Sequence, residues 1–176
     1  HGLAFKKEYL DSWRSDKKKN HHNILDSLAI HYLDLILFQM GTIKSSNYYP
    51  RLVSKKGDSY DTCRLALETV NASVIIYCSY ANPKINEIVI IGTNGYITIR
   101  DNKKEIFYPR DSFNEKGFFI KPPMIENEDF NFEDEYINSL KKSLEYFINI
   151  VKNKKLINLE NFEKSIITTK LLIEIK

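Results

Sequence analysis

Ser27, His31 and Asp34 are spaced four and then three residues apart. On a helix that spacing puts all three on one face. A histidine between a hydroxyl and a carboxylate can be oriented and held near neutral pKa, which suits it to transfer a proton. The plainer reading is a histidine that caps or packs against its own helix. His21, His22 and Asp26 lie in the same stretch and raise a second chemistry, zinc binding, although their spacing matches no firm zinc motif.

These residues need a helix to position them, and residues 23–40 predict one. Ile24, Leu28, Leu35 and Phe38 recur at helical spacing, and Gly41 can end the run. Residues 2–6 read as a short strand and 9–20 as a polar loop carrying Trp13 and Arg14. From residue 48 to 109 the pattern turns to strands, at 48–55, 63–70, 74–80, 87–91, 96–100 and 105–108. Gly92-Thr93-Asn94-Gly95 predicts a hairpin between the fourth and fifth of these. Such short connections require antiparallel pairing, because a parallel crossover needs a dozen or more residues. Residues 113–132, with Pro122-Pro123, read as a long irregular connection. Residues 133–152 predict an amphipathic helix with Tyr136, Leu140, Leu144, Phe147 and Val151 inward, and 160–175 another using Phe162, Ile166 and Ile173.

Strands in the middle and helices at the ends indicate a single α+β domain over residues 1–176. Its sheet is expected to be open and mainly antiparallel, with helices on one face. Val74-Ile75-Ile76-Tyr77 and Ile88-Val89-Ile90-Ile91 are apolar on both alternating faces. The second face is therefore expected to be covered by another subunit or domain.

Composition excludes several classes. Hydrophobic residues make up 43% and charged residues 28%, which is an ordinary globular balance rather than a disordered one. The net charge of +3 is scattered, and Lys17-Lys18-Lys19 reads as a solvated loop rather than a nucleic-acid patch. No apolar stretch reaches the ~18 residues of a membrane span. The two cysteines, Cys63 and Cys78, lie in apolar strand-like runs and read as small buried hydrophobes, so a disulfide framework is not expected and a reducing cytoplasm is. There is no Gly-x-Gly-x-x-Gly, no P-loop, no Gly-x-Ser-x-Gly elbow and no paired-cysteine zinc pattern.

The stretch from Asn20 to Asp34 resembles the start of the C-terminal domain in the glucose–fructose oxidoreductase, inositol dehydrogenase and MocA (Gfo/Idh/MocA) family. His31-Tyr32-Leu33-Asp34 matches the second half of that family's Asp-x-x-x-His-x-x-Asp. Other segments agree in order: Gly2-Leu3-Ala4-Phe5, then Trp13-Arg14, then Val70-Asn71 with residues 74–79, then the Gly92–Gly95 hairpin, and two closing helices.

The resemblance implies a two-domain oxidoreductase. A Rossmann domain preceding this chain would bind NAD or NADP and supply a catalytic lysine, and no cofactor would be bound by this domain alone. This domain would bind a sugar, cyclitol or nucleotide sugar and build a homo-oligomer through its sheet. Hydride would pass between the substrate carbinol carbon and the nicotinamide, with His31 exchanging the proton. Arg14 suits an anionic group on the substrate and Trp13 suits a sugar ring, while Lys6, Tyr80 and Asp34 would line the same cleft. The plainer readings are a solvated arginine and packed aromatics.

The sequence departs from the family twice. The lead-in Asn20-His21-His22-Asn23 is not glycine-rich. The acid expected four residues before His31 falls at Ser27, and Asp26 stands five before. On a regular helix Asp26 lies about 140° from His31, which a one-residue irregularity would correct. The alternative is a non-catalytic binding or assembly module of the same fold.

Overall fold

The computed structural model describes residues 2–20, 23–153 and 159–175. They form two compact units, one of residues 1–84 with 158–176 and the other of residues 85–157. The architecture is α+β, with open antiparallel sheets and helices. The strands divide between two sheets, one in each unit.

The first unit holds a three-stranded sheet in the order β1 (Ile43–Arg51), β2 (Thr62–Thr69), β3 (Ser73–Ser79). Alternation sets its faces. Leu65 and Leu67 of β2 and Ile76 and Cys78 of β3 are buried, while Ile75 and Tyr77 stand 72% and 57% exposed on the opposite face. Onto the buried face pack α2 (Ile30–Met40), through Leu33, and α4 (Leu159–Glu174), through Leu172. Among its described side chains the buried positions of α4 are Thr168 and Leu172, with Ile175 just beyond its end. The expected inward residues Phe162, Ile166 and Ile173 are all exposed. Thr168 is tolerated in the buried stripe because its hydroxyl donates to Asp34 at 3.0 Å.

The expected N-terminal strand is instead a 3₁₀ turn, Leu3–Phe5, whose Ala4 amide donates to the Tyr80 carbonyl at 3.0 Å. The expected loop after it carries a short helix, α1 (Lys7–Leu10), and a second 3₁₀ turn, Trp13–Ser15. A buried polar network ties this segment to the loop before β2. Ser59 Oγ donates to Asn23 Oδ1 at 2.7 Å, and the Tyr60 amide donates to the same oxygen at 2.8 Å. Asp61 is fully buried, and its carboxylate accepts from the amides of Val53 and Ser54 and from the Thr62 hydroxyl, each at 2.9 Å. Gly57 makes the close approach possible. Its φ is +71°, and a Cβ there would lie 2.6 Å from the Ser15 carbonyl oxygen.

The second unit holds a sheet in the order β4 (Glu87–Ile91), β5 (Tyr96–Arg100), β6 (Lys103–Phe107), β7 (Met124–Asp129), followed by α3 (Phe132–Asn153). The expected 92–95 hairpin forms, with Ile91 opposite Tyr96. Gly95 is needed there because a Cβ would collide with the Phe107 carbonyl. Strand β7 replaces part of the expected irregular connection. Phe107 is the single buried hydrophobic residue among the described residues of this unit. The expected inner face of α3, including Tyr136, Leu140, Leu144, Phe147 and Val151, is exposed.

Candidate active site

His31 and Asp34 sit on the face of α2 turned away from the buried Leu33 and Leu37. With Leu35 and Phe38, and with Lys164 and Ser165 of α4, they line a cleft of about 430 Å³ within the first unit. The helical spacing in sequence therefore does bring His31 and Asp34 to one surface. Asp34 is oriented by the Thr168 hydroxyl, and Lys164 Nζ lies 4.9 Å from the centre of the Phe38 ring. Sequence reasoning did not find Lys164, Ser165 or Thr168. They stand more than 130 residues from His31 and carry no motif, and their one signal is the spacing of Lys164 and Thr168 on a helix.

Ser27 does not share that cleft. Helix α2 is preceded by a π turn, Leu25–Ala29, in which the Ile30 amide donates to the Leu25 carbonyl five residues back. A π turn inserts one residue into the helical register. The irregularity that the displaced acid called for is thus present between Asp26 and His31. It turns Ser27 toward the sheet, where its Oγ accepts from the Tyr80 hydroxyl at 3.0 Å and donates to the Asn23 carbonyl at 3.3 Å. Asp26 is half-buried and close enough to Tyr48 of β1 to act on its phenol. That phenol is pushed up mainly by burial, then by Cys63, with Asp26 adding to the effect and a hydrogen bond from Asn23 opposing it.

The remaining candidates separate. Trp13 is 43% exposed, and Arg14 is half-buried with its guanidinium 4.6 Å from the centre of the Trp13 ring, so the two form one cation–π surface. Lys6 is exposed. Tyr80 is 4% exposed and packs on Tyr9 with ring centroids 5.7 Å apart, so it braces the π turn rather than lining an open cleft. The zinc reading through His21 and His22 lies outside the described residues, and among those described no three of His, Cys, Asp and Glu cluster. The described strand pairs are all antiparallel.

The fold defines a class, an α+β domain with open antiparallel sheets and a histidine-bearing helix. Residues 3–98 match the model of the GFO/IDH/MocA C-terminal domain, and the chain belongs to that family. It is similar in fold to several solved structures. A putative NADPH-dependent oxidoreductase from Desulfitobacterium hafniense is 14% identical with a TM-score of 0.73, the match covering 99% of this chain and 50% of that one. An oxidoreductase from Thermotoga maritima is 19% identical with a TM-score of 0.64, over 95% of this chain and 45% of that one. An oxidoreductase from Agrobacterium radiobacter, solved with NAD+, L-tartaric acid and magnesium, is 18% identical with a TM-score of 0.61, over 93% and 48%. The chain thus spans about half the length of these relatives. No curated protein sequence matches it.

Proposed function

We propose that this chain is the substrate-binding and subunit-assembly domain of an NAD(P)-dependent oxidoreductase acting on a sugar, cyclitol or nucleotide sugar. The observation that carries this reading is the placement of His31 on the open face of α2, beside Asp34, in a chain of this family. His31 exchanges the proton of the reacting hydroxyl, since either ring nitrogen of an imidazole can donate or accept one. Asp26, one π turn before His31, is the acid that stands in for the family's aspartate, with Ser27 as its neighbour in the turn. Asp34 contributes to substrate binding from the same helix face. Trp13 and Arg14 take the sugar ring and any anionic substituent, and Lys6 adds positive charge nearby.

The dinucleotide belongs to a preceding Rossmann domain, as the half-length match to oxidoreductases described as NADPH-dependent or solved with NAD+ supports. The exposed apolar faces of the sheets supply the contacts of a homo-oligomer. No described helix is long and apolar enough to cross a membrane.

The test is to incubate the full-length protein with NAD+ or NADP+ and a panel of sugars, cyclitols and nucleotide sugars while following nicotinamide reduction. Turnover of at least one of these is expected, and none with any of them contradicts the reading.

A second reading, a binding or assembly module without catalysis, is favoured by one observation. Ser27, at the family's aspartate position, is tied to Tyr80 and Asn23. Saturable binding of a sugar without turnover would support it.

A further inference from the structure

Cys63 and Cys78 lie directly opposite each other on β2 and β3. Both side chains point to the buried face, at 0% and 4% exposure, beneath helix α2. The ladder around them fixes their spacing. The Tyr80 amide donates to the Asp61 carbonyl and the Thr69 amide to the Ala72 carbonyl, and hydrogen-bonded pairs recur at every second position between these. Cys63 and Cys78 occupy one such pair, for which Cα atoms stand about 5.5 Å apart. That is within the separation of about 4.4–6.8 Å that a disulfide spans.

We propose that Cys63 and Cys78 are an oxidisable dithiol, a modification site at which hydrogen peroxide or a related peroxide closes a cross-strand disulfide under the helix that carries His31. The Cys78 thiolate attacks one peroxide oxygen. The O–O bond breaks, the leaving oxygen takes a proton and departs as water, and Cys78 becomes a sulfenic acid. The Cys63 sulfur then attacks the Cys78 sulfur, and the hydroxyl leaves with the Cys63 proton as a second water. Two thiols are thereby oxidised by two electrons and one peroxide is reduced to two waters.

The electrostatics fit these roles. The two thiols act on each other, pushing Cys63 up, assisted by burial, and drawing Cys78 down. Cys78 is therefore the attacking sulfur and Cys63 the resolving one. Cys78 is also close enough to the Tyr32 phenol of α2 to act on it, so a change at Cys78 is felt by the helix. Strand β3 is an outer strand of its sheet, and local opening there admits a molecule scarcely larger than water. The proposal is independent of the oxidoreductase reading, because its readout is chemical.

The experiment treats the full-length protein with a small excess of hydrogen peroxide, blocks remaining thiols, digests without reductant and maps the peptides by mass. A linked pair of peptides containing Cys63 and Cys78, two hydrogens lighter than their sum, is expected, and dithiothreitol restores both thiols. In Cys63→Ala the link is lost and Cys78 is trapped as a sulfenic acid by dimedone. Hydrogen exchange over α2 changes on oxidation and returns on reduction. The proposal is overturned if both thiols remain alkylatable, if each is oxidised separately to a sulfinic acid, or if cysteines link only between molecules. Because peptide mapping of the wild-type protein decides the matter, it stands even if a cysteine variant fails to fold.

Discussion

Tyr9 presents a phenol with no hydrogen-bond partner among the described residues, in a buried site 1% exposed. Burial, with the Asp61 carboxylate adding to it, pushes its pKa up from 10.0 to about 12. A raised acid stabilises the fold while neutral. That contribution is full below pH 10.0 and is lost as pH climbs through about 12. Tyr9→Phe is therefore expected to leave stability at neutral pH within about 1 kcal/mol of wild type, since no bond is broken. It should also flatten the alkaline fall in denaturation midpoint, and an unchanged alkaline limb would contradict this account. Losing the Asp61 side chain costs more, because its carboxylate accepts from the amides of Val53 and Ser54 and from the Thr62 hydroxyl, and the Ser54 amide is buried. Asp61→Ala should cost about 2–4 kcal/mol in urea unfolding.

At the scale of elements, the π turn is the local feature that sets the site. Tyr80 pins it from the end of the β3 edge through Ser27, 53 residues away in sequence. Tyr80→Phe is expected to cost about 1 kcal/mol and to speed hydrogen exchange at residues 25–30, and protected amides there would show that the turn holds itself. Gly57→Ala should destabilise by about 1–3 kcal/mol, because its Cβ meets the Ser15 backbone and its φ is left-handed. A wild-type unfolding midpoint in that variant would be the contrary result.

The same scale shows what sequence could reveal. Strands β4 and β5 were legible to the residue because β-branched runs flank an Asn-Gly turn. Strand β7 was not, because Met124–Asp129 is held by Lys104 pairing with Glu126 and Glu128 rather than by apolar alternation. The face of α4 was misread because its buried stripe includes a threonine whose partner, Asp34, is 134 residues distant. His31 and Asp34 were legible as a pair because helical spacing alone aligns them. The other wall of their cleft was not, because tertiary packing alone brings it there.

Taken whole, the chain leaves much apolar surface open. Ile75 and Tyr77 in one sheet and Val89 and Ile91 in the other are about half or more exposed, and the second unit buries a single hydrophobic side chain among its described residues. Exposed apolar surface of this kind marks a candidate contact with a partner. In the full-length protein, Ile75→Lys together with Ile91→Lys is expected to lower the mass measured by sedimentation toward that of a monomer. An unchanged assembly would place the interface elsewhere.

The central claim is that His31 moves the proton in an oxidoreductase reaction. It is tested most directly by the steady-state kinetics of full-length wild-type and His31→Ala proteins, with the best substrate from the panel. The account predicts a loss of about 10²–10⁴-fold in kcat with little change in KM. A variant with the wild-type kcat would contradict it.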